Sequence, residues 1–267
     1  MPLKLKKIGI LLKEGHAKAE TLSQELVPWL ESKGCEILKE QFEKADLLLT
    51  LGGDGTLIRG VGLLKGKKVP VLGIRLGELG FLTQVSPDEY QGAILPILEK
   101  GPEIEERIKV QATITRKGEA FATIHALNDI VLHTTGTARI ANFKVSLNGH
   151  YFSTVKADGL IIATPTGSTA YSFAAGGPII EPAHPMMVLT PICPQTMANR
   201  PLVMSDHSKI DVSLEGMNSE VLLTADGQEA LPIHKEDQVT VQKSGQKAYF
   251  VKLPNVHYFD VLRKKLF

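Results

Sequence analysis

The chain has 267 residues, with 30 Lys and Arg against 29 Asp and Glu, 43% hydrophobic and 22% charged residues. This is ordinary globular usage for one large or two medium domains, and the near-neutral balance excludes a bulk electrostatic grip on nucleic acid or an anionic membrane. Cys35 and Cys193 are far apart with no metal-ligand spacing, and the apolar run after the basic opening stops at Leu12, short of a signal h-region. The expectation is a cytoplasmic protein with no export, anchoring or membrane-spanning segment, and with small rather than polymeric partners.

In chain order, the apolar run Ile8–Leu12 is followed by Leu22, Leu26, Trp29 and Leu30 at helical spacing, with Gly34 as the stop, and then by the strand-like run Ala45–Leu51. Leu57, Val61 and Leu64 continue as a helix, and Val69–Ile74 reads as a buried strand. Ser86, Pro87 and Glu89 read as the N-cap, first-turn proline and acid of a helix carrying Tyr90, Ile94 and Leu98. This βα alternation predicts a parallel, doubly wound sheet over residues 1–103.

After Gly101-Pro102 the pattern becomes β-rich over 104–253. Strand-like runs recur at Val110–Thr115, Ile130–His133 and Phe143–Leu147, and Asn148-Gly149 marks a hairpin. Further apolar runs lie at Leu160–Ala163, Met187–Leu189, Val221–Leu223, Val239–Val241 and Tyr249–Val251. Tyr258–Phe267 reads as a short basic helix.

The most informative local feature is the buried-strand pattern from Leu47 running into Gly52, Gly53, Asp54, Gly55 and Thr56, with a helix expected from about Leu57. Glycines let backbone N–H groups approach a phosphate, and a helix amino end favours an anion. Asp54 would repel that phosphate unless it serves a hydroxyl proton or a metal ion, which is the logic of a kinase. Thr56 is a candidate helix cap, and Arg59 a candidate for neutralising phosphate charge. A turn with an Asx-type Asp54 and a solvated Arg59 explains the same residues without function. Neither a G-x-G-x-x-G nor a P-loop spacing is present.

Asn128 and Asp129 precede a strand and can bind vicinal ribose hydroxyls, or can simply be turn residues. From Asp158 a short apolar strand leads to Thr164-Pro-Thr-Gly-Ser-Thr-Ala-Tyr171. There Thr166, Ser168 and Thr169 can hydrogen-bond a ligand, Ala170 leaves room for a flat ring, and Tyr171 can stack. A Ser/Thr-rich helix start is the alternative. The histidines show no metal-protease spacing, and Ser168 lacks a nucleophile elbow.

Taken in order, Gly52–Thr56, Asn128-Asp129, Asp158-Gly159, Thr164–Tyr171, Ala175-Gly-Gly-Pro178 and Thr190-Pro-Ile-Cys-Pro194 resemble the NAD kinase family across nearly the whole chain. The glycine loop is also shared with phosphofructokinases and diacylglycerol or sphingosine kinases, whereas the Thr164–Tyr171 segment is much more specific. The resemblance implies transfer of a phosphoryl group from ATP or inorganic polyphosphate, assisted by Mg²⁺, to the 2′-hydroxyl of the adenosine ribose of NAD. It makes Asp54 the general-base candidate and sets Asn128 and Asp129 on the ribose. It also gathers Asp158, Thr169, Ala170, Tyr171, Ser172, Phe173 and Ala174 around the dinucleotide, with Arg59, Arg139, Lys156 and Gln228 as further contacts. In this chain the acidic partner of Asn128 is Asp129 where the family more often has Glu, and Lys156 stands where Arg is more usual. The implied architecture is an α/β N-terminal domain, 1–103, to which the tail 254–267 returns, plus a β-rich, sandwich-like C-terminal domain, 104–253, in a homodimer or homotetramer. The alternatives are a lipid or sugar kinase sharing the glycine loop, and a non-catalytic sensor of NAD or NADP.

Overall fold

The computed structural model describes residues 5–135, 140–196, 200–216, 220–254 and 256–267. The chain divides into two compact units, residues 1–106 with 246–267, and residues 107–245.

In the first unit, β1 (Lys7–Leu12), α1 (Ala17–Ser32), β2 (Glu36–Leu38), β3 (Leu47–Gly52), α2 (Asp54–Leu63), β4 (Val71–Arg75) and α3 (Tyr90–Lys100) follow one another. The strands pair in parallel in the order β2, β1, β3, β4. Every residue of β3 is buried, because a parallel sheet is covered on both faces, which is why its sequence is a continuous apolar run rather than an alternation. Leu47, Leu49 and Leu51 share a core with Leu22, Leu26 and Leu30 of α1 and Ile94 and Leu98 of α3. On the other face Gly60 of α2 lies so close to Leu48, Thr50 and Leu11 that an added Cβ would come within 3.1–3.3 Å of them, so this helix rides directly on the sheet. The expected helix start at Ser86 is displaced: α3 begins at Tyr90, and Ser86 Oγ donates instead to Glu89 Oε2 at 2.5 Å, closing a turn ahead of the helix. The tail returns to this unit as α5 (Tyr258–Leu266), where Val261 is buried.

The second unit packs two sheets. One is antiparallel throughout, in the order β12 (Leu202–Ser205), β11 (Met186–Ile192), β10 (Gly159–Ala163), β7 (Asp129–Thr135), β14 (Glu220–Ala225), β15 (Glu229–Ile233). The other contains β8 (Ala141–Leu147), β9 (His150–Ala157), β13 (Ile210–Glu215) and β16 (Gln238–Val251), with the hairpin of β5 (Ile104–Arg116) and β6 (Glu119–Ala126). Strands β5 and β16 are long and cross the unit boundaries along the chain. Asn148 and Gly149 take φ of 51° and 82°, the left-handed pair that the tight β8–β9 hairpin needs.

Alternation puts Ile130, Leu132, Leu160 and Ile162 into the core with Phe143, Val145, Val212 and Val241 of the facing sheet. Their neighbours Val131, Ile161 and Ala163 point the other way and pack with Ile180, so the segment carrying Thr164–Tyr171 is laid over the outer face of this sheet. Phe143 is fully buried in the core. Phe143→Ala is expected to cost about 3–5 kcal/mol, seen as a loss of unfolding midpoint in urea by circular dichroism; an unchanged midpoint would remove Phe143 from the core that holds the sandwich together.

Candidate active site

Strand β1 has β2 on one side and β3 on the other, so the chain reverses its direction across the sheet there, and ligands of open α/β sheets bind beyond the carboxyl ends of such strands. Lys13 and Glu14 follow β1, and Gly53, Gly55, Thr56 and Arg59 follow β3; together they line a recess of about 310 Å³. The recess lies at the amino end of α2, where unpaired N–H groups and the helix dipole favour an anion. The helix starts at Asp54, three residues earlier than expected, with Gly53 as N-cap and no side-chain cap. Thr56 therefore does not cap it; it packs against Gly52, where any Cβ would collide with its side chain. The Arg59 guanidinium pairs with the Glu14 carboxylate. An incoming phosphate would have to compete with Glu14 for it.

Asp54 is held rather than loose. Its Oδ1 accepts from Leu82 N (3.1 Å), Thr83 N (2.9 Å) and Thr83 Oγ1 (2.9 Å), and its Oδ2 accepts from Phe81 N (2.7 Å). The crowded Oδ1 is fixed as an anchor, and Oδ2, with one donor, keeps capacity for a proton or a further donor. Two glycines make this possible: a Cβ on Gly80 would collide with Asp54 Oδ1, and one on Gly73 would come to 2.6 Å from Thr83 Cγ2. Sequence reasoning missed Gly80, Phe81 and Thr83. The only signal was a glycine-bearing, apolar turn after β4, indistinguishable from a connecting loop.

In the second unit, Asn128 and Asp129 stand where β6 passes to β7. Thr164 N donates to Asn128 O (2.8 Å) and Thr164 Oγ1 to Leu127 O (2.6 Å), while a Cβ on Gly167 would collide with Asn128 O. The Thr164–Tyr171 segment is thereby stitched to Asn128-Asp129. Ser168 Oγ donates to Pro165 O and accepts from Ile180 N (2.9 Å), and Ser172 Oγ bonds Thr190 Oγ1 (2.9 Å), so both hydroxyls hold the segment together. Thr166 is buried and accepts from Arg107 Nη1 (3.3 Å); Thr169 Oγ1 donates to Thr166 O. Ala170 leads into a single helical turn, α4 (Tyr171–Ala174), which leaves Tyr171, Phe173 and Ala174 exposed and Ser172 buried.

The two members of the Asn-Asp pair differ in their environment. Asn128 is half-buried, and among the described residues its Oδ1 has no hydrogen-bond partner. Asp129 is only 5% exposed. Burial, followed by repulsion from Asp226, pushes its carboxyl up to about 7. Lys156 is exposed on β9, Asp158 is half-buried with its backbone carbonyl accepting from Thr134, and Gln228 is exposed in the β14–β15 turn. Arg139 lies outside the described residues. The structure thus brings Gly53, Gly55, Thr56 and Arg59 to one recess, and ties the Thr164–Tyr171 segment to Asn128 through Thr164 and Gly167; sequence reasoning also missed Asp226, whose Asp-Gly pair reads only as a turn.

A glycine loop and helix start at the switch point of a parallel sheet is an arrangement suited to phosphorylated ligands, and the chain also carries a β-rich unit with a Ser/Thr segment, which together define the class as a two-unit α/β protein. Residues 37–101 match the ATP-NAD kinase N-terminal domain and residues 127–253 the ATP-NAD kinase C-terminal domain. NAD kinases of Geotalea daltonii and Syntrophotalea carbinolica are each 39% identical, over 98% of this chain and 98% of theirs. Among solved structures, a yeast NADH kinase complexed with NADH superposes with a TM-score of 0.88 at 26% identity, covering 98% of this chain and 87% of that one. An NAD kinase from Archaeoglobus fulgidus in complex with ATP gives 0.77 at 29% identity, covering 97% and 98%. The chain belongs to the NAD kinase family, a family of phosphotransferases, which sets aside the lipid- and sugar-kinase alternative. No described helix is long and apolar enough to cross a membrane.

Because Asp129 binds its proton more tightly folded than unfolded, the folded protein carries the extra proton between about pH 4 and 7, and Asp129's contribution to stability falls as pH rises through that window. Carboxyl-carbon NMR should show an aspartate with a midpoint near 7 that disappears in Asp129→Asn, and wild type should lose stability relative to that variant as pH rises from about 4 to 7. A midpoint near 4 would mean that the carboxyl is solvated.

Proposed function

We propose that this chain transfers the terminal phosphoryl group of ATP, or of inorganic polyphosphate, to the 2′-hydroxyl of the adenosine ribose of NAD, giving NADP, as a cytoplasmic homodimer or homotetramer. The observation that carries this reading is the intact loop Gly52–Thr56 with its cradled Asp54, in a chain that matches NAD kinases over nearly its full length. The ATP complex of the Archaeoglobus fulgidus enzyme supports ATP as donor, and the NADH complex of the yeast enzyme supports a dinucleotide as acceptor.

In this reading Asp54 Oδ2 accepts the proton of the 2′-hydroxyl as the ribose oxygen bonds to phosphorus and the bond to the leaving phosphate breaks. The three donors on Oδ1 keep the carboxylate from turning, so Oδ2 stays aimed. The N-terminal turn of α2, with Lys13 and Arg59 in the same recess, offsets charge on the donor phosphates. Asn128 Oδ1, which has no partner among the described residues, accepts from a ribose hydroxyl, and Asp129 contributes beside it. Tyr171 and Phe173, both exposed, offer ring faces to the dinucleotide, with Asp158, Lys156, Gln228 and Arg139 as further contacts. Among the described residues there is no group of three or more His, Cys, Asp or Glu able to hold a metal ion, and Asp54 is largely occupied by its own donors. Mg²⁺ is commonly held by one or two carboxylates together with substrate phosphates, and in this reading it enters with the phosphate donor.

Protein supplied with Mg²⁺, NAD and either ATP or polyphosphate should yield NADP, read with an NADP-specific dehydrogenase; the donor that gives product is the donor. Asp54→Asn should lower kcat by about 10²–10⁴-fold with a much smaller change in NAD affinity. NAD binding without product from either donor would make the chain a sensor, and near-wild-type turnover of Asp54→Asn would remove Asp54 as the base.

A further inference from the structure

Asp226 lies outside every motif that suggested function. With Gly227 it forms the β14–β15 turn, at φ of 53° and 64°, closed by Gln228 N donating to Ala225 O at 2.9 Å. That turn requires two residues tolerant of positive φ, and Asn or Gly would serve at position 226 as well as Asp. The side chain does more than the turn needs. Its Oδ2 accepts from Leu127 N (2.8 Å), and its Oδ1 from Asn128 N (2.7 Å) and Asp129 N (3.2 Å), while its own N–H donates to Asp129 O (3.0 Å). Three consecutive backbone N–H groups thus converge on one carboxylate.

The opposite side of the same backbone is held by Thr164, whose hydroxyl and N–H take the carbonyls of Leu127 and Asn128. Residues 127–129 therefore have their N–H groups bound by one side chain and two of their carbonyls bound by another residue. The half-buried Asn128 amide carries an oxygen that is shielded from solvent and has no hydrogen-bond partner among the described residues, an orphaned acceptor that a donor brought to the site would satisfy. A desolvated carboxylate is a costly way to tie a half-buried turn, since desolvation pushes its proton affinity up. The three N–H donors and Lys109 act in the other direction and favour the charged form. Lys109 is 3% exposed on β5, and burial pulls its ammonium down while Asp226 holds it up. The other ionisable groups in this buried cluster are Asp129 from β7, which is repelled by Asp226, and His125 from β6, which is lowered by burial and by Lys109.

We propose that Asp226 is a positioning residue of the dinucleotide site, its carboxylate, balanced by Lys109, holding the 127–129 backbone so that the Asn128 amide is presented to a ribose hydroxyl. This rests on the ribose role given to Asn128 above. The requirement is for an acceptor-only group: an amide at 226 would turn one of its two polar atoms into a donor facing a donor N–H.

The test is a double-mutant cycle read by NAD affinity in calorimetry and by steady-state kinetics, with circular dichroism as the check of folding. Asn128→Ala should weaken NAD about tenfold or more, and Asp226→Asn about tenfold, with KM for NAD rising more than kcat falls and KM for ATP unchanged. Because Asp226 acts through Asn128, the double variant should bind NAD within about twofold of Asn128→Ala alone, whereas a general loss of structure would multiply the two effects. If Asp226→Asn does not fold, Lys109→Met, which removes the balancing cation, enters the same cycle with the same expected non-additivity. Wild-type NAD affinity in Asp226→Asn, or effects that multiply, would overturn the proposal while leaving the ribose role of Asn128 standing. An Asn128→Ala variant with wild-type NAD affinity would remove that role and the proposal with it.

Discussion

A carboxylate drawn partly out of water is held by hydrogen-bond donors, and in each unit of this protein backbone N–H groups supply them to a half-buried aspartate. Asp54 draws the N–H groups of Phe81, Leu82 and Thr83 onto its two oxygens, and Asp226 draws those of Leu127, Asn128 and Asp129. In both cases an otherwise irregular connection is converted into a rigid wall, because consecutive N–H groups can converge on one acceptor only if the backbone bends around it. The functional groups stand on those walls. Loss of either carboxylate would release several part-buried donors together, a larger penalty than loss of a single surface contact.

Steric constraint complements this electrostatic one. Gly80 and Gly167 each lie where a Cβ would overlap an oxygen, of the Asp54 carboxylate in one case and of the Asn128 carbonyl in the other. Gly52 and Gly177 do the same against Thr56 and Ser172. These glycines are required for close approach rather than for backbone freedom, since none of the four has positive φ. Hydroxyls that looked like ligand contacts, those of Ser168 and Ser172, are committed to holding the segment together.

The elements that were legible are those whose burial follows a period. Ile8–Leu12, Ala45–Leu51 and the Leu22–Leu30 stripe reappear as β1, β3 and α1, because both faces of a parallel strand, or one face of a helix, must be apolar to pack. Asn148-Gly149 forecast its hairpin because few residue pairs tolerate two left-handed positions. The glycine loop and the Thr164–Tyr171 segment were visible as motifs because their chemistry is contiguous along the chain. Strands β2, β6, β12, β13 and β15 were not seen, being short or interrupted by polar residues, and the starts of α2 and α3 were misplaced by three or four residues because their caps are backbone rather than side-chain groups.

By itself, then, the sequence determined the class of fold in each half, the kinase-like loop with its single carboxylate, and membership of a family through the order of its motifs. Only the tertiary structure decided what each polar group is doing. Asp54 is separated by 27 residues from Phe81, and Asp226 by 98 from Asn128. A hydrogen bond across such a separation leaves no periodic trace along the chain, because it depends on where the fold returns the backbone and not on which residues are neighbours. The same reason hid the roles of Gly80 and Gly167: the atom that forbids a side chain there comes from a distant segment, and its presence is a property of packing alone.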